Sequence, residues 1–302
     1  MIAGSGEQIE IVAGDQRAVI VEVGGGLHAY CAGERDLLDG FPADGPSTSG
    51  RGQVLIPWPN RLEDGSYDFG GRRHQLPLTE PEHGNAIHGL VRWVPWEAAE
   101  REPNRVVMEH VLYPQPGYPF TLQIRIEYAL SDDGLSVQTT ANNAGAERCP
   151  YGAGAHPYLT VGTETVDGVA LHVPAREVLR ANERGIPVDS VAVDGSPYDF
   201  RNPRPIGSTQ LDHAFTGLER GEDGLARISL HDPGDGADLT LWVDASYPYV
   251  MVFTGDPVPD VNRRSIAVEP MTCPPNAFRT GTDLIVLEPG ASHTGAWGLI
   301  PA

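Results

Sequence analysis

Between residues 120 and 130 large apolar residues hold every second position. Phe120, Leu122, Ile124, Ile126, Tyr128 and Leu130 are apolar, with Thr121, Gln123, Arg125 and Glu127 between them. A period of two puts the first set on one face of a strand and the second in solvent. Fully burying each large apolar side chain contributes ~1.5–3 kcal/mol, so this face is expected to anchor a sheet. Ser131-Asp132-Asp133-Gly134 then predicts a turn into a second strand over residues 135–142, making a hairpin. Further strands are predicted over residues 18–23, 53–56, 105–112, 169–173, 225–230, 237–243, 249–253, 265–268 and 293–299. The best helical stretch is short, at 96–102.

Turn chemistry supports the same picture. Asp-Gly pairs recur from Asp39-Gly40 to Asp235-Gly236, and they suit turns because glycine accepts positive φ and aspartate bonds nearby backbone. The 27 prolines and 36 glycines are spread over the whole length and leave little room for long helices. Residues 114–119 and 201–209 read as surface loops. Gly24-Gly25-Gly26 reads as a turn, since no third glycine completes a dinucleotide fingerprint. There is no repeat, linker or shift of composition. The expectation is an all-β chain: one domain over residues 1–302, a large antiparallel β-sandwich with few short helices.

Charge and composition narrow the function. A net charge of −20 argues against nucleic acid and anionic membranes as partners, because phosphate binding needs clustered cations. All 21 basic residues are arginine, which excludes Schiff-base lysine chemistry and a phosphate-loop lysine. Cys31, Cys149 and Cys273 are far apart and form no C-x-x-C pair, which fits a reduced compartment and neither a disulfide framework nor a zinc ribbon. The first residues lack a basic segment followed by an apolar run, and no stretch approaches the ~20 apolar residues of a spanning helix. A cytoplasmic location is the expectation. Oligomeric state is left open.

Five places could carry chemistry. Asn60-Arg61 follows Pro57-Trp58-Pro59 and offers an amide beside a fork of donors suited to hydroxyls or a carboxylate. His88 lies in Asn85-Ala86-Ile87-His88-Gly89-Leu90, five residues after His83, which is not helical metal-pair spacing. His156 follows Gly152-Ala153-Gly154-Ala155 and precedes Pro157, which limits it to extended conformations. Asp212 opens Asp212-His213-Ala214-Phe215. Glu269 follows the apolar run Ile266-Ala267-Val268, a junction where partial desolvation would raise its pKa. Taken singly, each also suits a bland role: Arg61 an ion pair with Glu63 or Asp64, either histidine a structural hydrogen bond, Asp212 a turn or cap, Glu269 a solvated strand end.

Together and in this order, with PWPNRLEDGSYDF, NAIHGLVRW, GAHPYL, LDHAF and EPMTCPPNAFRTG around them, these residues resemble the aldose 1-epimerase (mutarotase) family, from about residue 50 to the C-terminus. The resemblance implies a large β-sandwich with a groove across one sheet. It implies exchange of the α and β anomers of a free hexose, with no cofactor and no metal. Glu269 matches the general base and His156 the general acid, placed on opposite sides of the sugar. Arg61, His88 and Asp212 match the residues that hold hydroxyls and ring oxygen, with Asn60 beside them. Trp58, Trp93 and Tyr158 are candidates to stack on the sugar. The stretches around His156 and Glu269, HPYL and EPMTCPPNAF, resemble those of a divergent bacterial branch. Hexose 6-phosphate is the second substrate candidate, with Arg72-Arg73 and Arg263-Arg264 as possible phosphate ligands. A non-catalytic sugar-binding protein and a glycosidase are the remaining alternatives.

Overall fold

The computed structural model describes residues 3–302. Two large antiparallel sheets dominate. The nine-stranded sheet runs Glu97–Glu102, Arg105–Leu112, Leu122–Ser131, Gly134–Asn143, Ser292–Pro301, Asp238–Val243, Ala226–His231, Ala170–His172 and Arg204–Pro205. The eight-stranded sheet runs Pro187–Ala192, Glu177–Ala181, Asp212–Thr216, Tyr249–Phe253, Ile266–Met271, Gly154–Ala155 and Val54–Leu55, with Tyr158–Leu159 also pairing Ile266–Met271. Gln8–Ala13, Gln16–Val21, Leu27–Ala32 and Arg35–Asp36 make a smaller sheet.

The alternating stretch forms the central hairpin of the larger sheet, with Leu122 opposite Asn143 and Leu130 opposite Leu135. Its apolar set is buried. Of its polar set, Arg125 pairs with Glu109 at 3.0 Å and Glu127 with Arg105 at 2.7 Å. Leu122, Ile124 and Ile126 share one core with Phe215, Val250, Val252, Ile266 and Val268 of the facing sheet. The result is an all-β sandwich whose filling is contributed by both inner faces.

Two expectations are corrected. Residues 96–102 form no helix: Glu97–Glu102 is an edge strand that turns back onto Arg105. Its Glu and Ala residues favour helix intrinsically, but pairing with a well-buried neighbour outweighs a few tenths of a kcal/mol per residue. Among the described residues the α-helix is Ala277–Thr280. The stretches 114–119 and 201–209 are not wholly surface. Tyr118 is fully buried and donates to the Pro150 carbonyl at 2.8 Å, and Arg204–Pro205 adds an edge strand before the buried Ile206.

Ile266–Met271 positions the chemistry. It is buried on both faces. Ile266 and Val268 point into the core, so the period of two sends Ala267, Glu269 and Met271 to the other face. There Met271 joins Ala214, Tyr249 and Met251, while Ala267 joins Tyr158 and Val261.

Candidate active site

A groove of about 480 Å³ opens on that second face. Glu269, His156, His88, Asn60, Arg61, Asp212, Tyr158 and Trp93 all line it. Glu269 lies inside a strand, paired opposite Met251, and not at a strand end as expected. Its strand runs on through Met271, which keeps the carboxyl buried.

His156 stands directly across from Glu269. Gly154 pairs with Met271 and Tyr158 with Ala267, and the unbroken register between them sets His156 opposite Glu269, with the Val268 N–H donating to the Pro157 carbonyl at 3.2 Å. The small residues before His156 are needed for packing: a side chain at Gly154 would stand 2.9 Å from both the Pro270 carbonyl and Pro59. His156 Nε2 then lies 3.3 Å from Glu269 Oε1, both side chains almost fully buried. The two groups are therefore side by side and cannot flank a sugar ring from opposite sides, which corrects the expected arrangement. Glu269 Oε2 and His156 Nδ1 are buried without a hydrogen-bond partner.

Burial sets the protonation of this pair. It pushes the Glu269 carboxyl up to about 8, the charge of Asp212 adds to this, and Arg61 opposes it. It pushes the His156 imidazole down to about 3. Across the neutral range the pair holds one proton.

Arg61 and His88 come from a two-stranded ribbon, Arg61–Glu63 against Asn85–Ile87. Asn60 and His88, just past its end, both adopt left-handed backbone, with φ of 55° and 62°. The His88 N–H donates to the Asn60 carbonyl at 3.0 Å, and the Asn60 N–H donates to His88 Nδ1 at 3.2 Å. Nδ1 is thus an acceptor, and burial keeps the ring neutral, so its proton is on Nε2.

That tautomer bears on metal binding. His88, His156 and Glu269 bring ligand-type atoms within 4.8 Å of one another, a donor set that would suit zinc. With Nδ1 accepting from Asn60 and Nε2 protonated, His88 has no lone pair to give. The residues do not fit a metal.

Arg61 is not paired with Glu63 or Asp64. Its Nε donates to both Glu80 oxygens at 3.0 Å, and its Nη1 lies 3.6 Å from Asp212. Burial alone would raise the Glu80 carboxyl, but hydrogen bonds from Asn85, Arg61 and His83 outweigh it and hold it below the usual range. Glu63 and Asp64 instead meet Arg184 and Arg279.

The aromatic candidates separate. Trp58 is buried against Phe278 and is not part of the groove. The Tyr158 ring stacks on His156 at 5.0 Å and its hydroxyl donates to the Ser49 carbonyl at 2.9 Å, so it braces the histidine. Trp93, 54% exposed, is the one of the three with a free face. Arg72, Arg73, Arg263 and Arg264 do not line the groove, and Arg263 is held by Asp167 and Asp256. Arg92, within NAIHGLVRW, also lines the groove, as does the buried Glu80, which no local sequence pattern distinguishes from the chain's other acidic residues.

The family model described as aldose 1-epimerase matches residues 7–298. The chain belongs to the aldose 1-epimerase family. Among relatives, it is 36% identical over 290 residues to the Escherichia coli K12 protein YihR, covering 96% of this chain and 91% of that one. It is 23% identical to the E. coli K12 protein YphB, covering 95% and 96%. The fold is similar to that of the GalM/aldose epimerase homologue from C. elegans, with TM-score 0.87, 17% identity and 98% of each chain covered. It is also similar to galactose 1-epimerase from Lactobacillus acidophilus NCFM, with TM-score 0.77, 18% identity and 95% and 91% covered. This aldose 1-epimerase family member has no helix, among the described residues, long and apolar enough to cross a membrane.

Proposed function

We propose that the protein is a cofactor-independent aldose 1-epimerase that interconverts the α and β anomers of a hexose. The observation that carries this reading is the buried contact between His156 Nε2 and Glu269 Oε1 at 3.3 Å, with Glu269 Oε2 left free beside the groove. Anomer exchange must take a proton from the C1 hydroxyl and give one to the ring oxygen. Both oxygens are bonded to the same carbon, so a base and an acid standing side by side suit it.

The shared proton makes the cycle balance. With the proton on His156, Glu269 is a carboxylate and takes the C1 hydroxyl proton, while His156 Nε2 gives its own to the ring oxygen. The C1–ring-oxygen bond breaks and an aldehyde forms. Glu269 is now the acid and imidazole is neutral, the form that burial favours. The C1–C2 bond turns, the ring oxygen attacks the other face of C1, and the two protons return. His88 Nε2–H, Arg61 and Asn60 supply donors to the sugar, Asp212 an acceptor and Trp93 an apolar face. Tyr158 acts through His156.

A second reading concerns the sugar. Arg92 lines the groove, donates to Gln53 Oε1 and the Ile87 carbonyl at 3.1 Å, has no carboxylate partner among the described residues, and leaves its buried Nε unpaired there. An uncompensated guanidinium favours a hexose carrying an anionic group, such as a 6-phosphate. Polarimetry of fresh α-D-glucose, α-D-galactose and a hexose 6-phosphate tests both. Acceleration of a free sugar above the spontaneous rate supports the first. Acceleration of the charged sugar alone, abolished by Arg92→Met, supports the second. Tight sugar binding without acceleration of any would indicate a binding protein, and cleavage of a chromogenic glycoside a glycosidase.

A further inference from the structure

The hairpin joining Glu177–Ala181 to Pro187–Ala192 reaches beyond its own sheet. Its tip is a built turn: Asn182 Oδ1 accepts from the backbone N–H groups of Arg184 and Ile186. From that tip Arg184 spans two other segments. Its Nε donates to the His83 carbonyl at 2.8 Å, and its Nη2 to the Gly84 carbonyl at 2.9 Å and Asp64 Oδ1 at 2.8 Å. Asn85, which also holds Glu80, donates back to the Arg184 carbonyl at 2.9 Å. The next residue, Gly185, has φ +72° and lies directly against Arg61: an added methyl would stand 2.8 Å from Arg61 Cδ and Cζ.

We infer that Arg184 and Gly185 form a positioning clamp that aims Arg61 into the groove. The inference rests on the reading of Arg61 as a substrate ligand. Glu80 grips the Nε edge of the guanidinium. Gly185 closes the opposite side, where only a backbone without Cβ leaves room. Nη1, the nitrogen nearest Asp212, is then left with one direction to point. Arg184 keeps the wall in place by tying the hairpin tip to the segment that carries Glu80 and Asn85. A long flexible side chain held this way loses its rotamer freedom on folding and none on binding.

Two variants test the clamp, Gly185→Ala and Arg184→Met, each first checked for folding by circular dichroism. Arg184 is partly exposed and its loss leaves the core untouched, so it carries the test should Gly185→Ala fail to fold. Glu269 is faced by His156, Arg61 and Asp212, and Arg61 is the one positive charge among the causes of its shift. NMR titration of the Glu269 carboxyl in glutamate-labelled protein, assigned by its loss in Glu269→Gln, reads the position of that charge without needing turnover. The expected result is a titration at higher pH in both variants than in wild type, with KM for the sugar raised about 10- to 100-fold. An unchanged titration and an unchanged KM overturn the clamp. A titration shifted in the variants, together with a wild type that accelerates no sugar, would retain the clamp and remove the epimerase reading instead.

Discussion

His156 Nε2 sits 3.3 Å from Glu269 Oε1, and the contact is shielded from water on all sides but the groove. A solvated pair at this distance would hold a carboxylate against an imidazolium. Here burial disfavours both charges, raising the acid and lowering the base. The pair therefore stores one proton in its neutral form and becomes reactive when that proton moves to the histidine. Apparent pKa values belong to the pair and not to either residue.

Glu269→Gln removes the group that takes the C1 proton and keeps the shape of the site. Turnover is expected to fall at least 10²- to 10⁴-fold, while sugar affinity stays within about tenfold. Polarimetry gives the first number and calorimetry the second. Wild-type turnover in this variant would end the assignment of Glu269 as base.

The pH dependence follows from the proton count. The reactive pair contains one proton and loses it at about pH 8, so kcat/KM should be flat through neutrality and fall tenfold per unit well above that value. A rate that climbs through pH 8 would show instead that the fully deprotonated pair is the active form.

The same shifts act on stability. Folded Glu269 binds its proton up to about pH 8, whereas an unfolded glutamate releases it near 4.3, so stability is lost as pH rises through this window. His156 works in the opposite sense below about 6.5, where the unfolded chain takes up the proton. Only the glutamate contribution remains between pH 6.5 and 8. Wild type should lose about 2 kcal/mol more than Glu269→Gln across that interval in denaturant titrations. Parallel curves would contradict the raised carboxyl.

His88 is expected to act as a donor and not as a metal ligand. His88→Gln, which keeps an N–H donor, should retain more activity than His88→Phe, which keeps only the volume. Chelator should leave the wild type unchanged. Activity lost to chelator and restored by zinc would overturn the tautomer derived from the Asn60 contact.

Ile126 is fully buried at the centre of the main hairpin. Ile126→Ala should cost about 2–5 kcal/mol of unfolding free energy. A loss under 1 kcal/mol would mean the core collapses around the gap.

The sequence alone determined the layered all-β architecture, because alternation and turn residues act over a few neighbours and need no distant partner. It carried the central hairpin over 120–142, and the motif order pointed to Glu269, His156, Arg61, His88 and Asp212, which the fold brings to one groove. What it did not carry depends on residues far apart along the chain. Edge pairing turned the expected helix at 96–102 into a strand. Packing on Phe278 removed Trp58 from the groove, and stacking on His156 took up the Tyr158 ring. The side-by-side placement of His156 and Glu269 arises because two short segments pair with one strand in a single register that sets the histidine opposite the glutamate. Arg61 finds Glu80 and not its neighbours Glu63 and Asp64, because a hairpin more than a hundred residues downstream closes the other options. Local preference set the elements; only tertiary burial decided which charges face each other and which of them hold a proton.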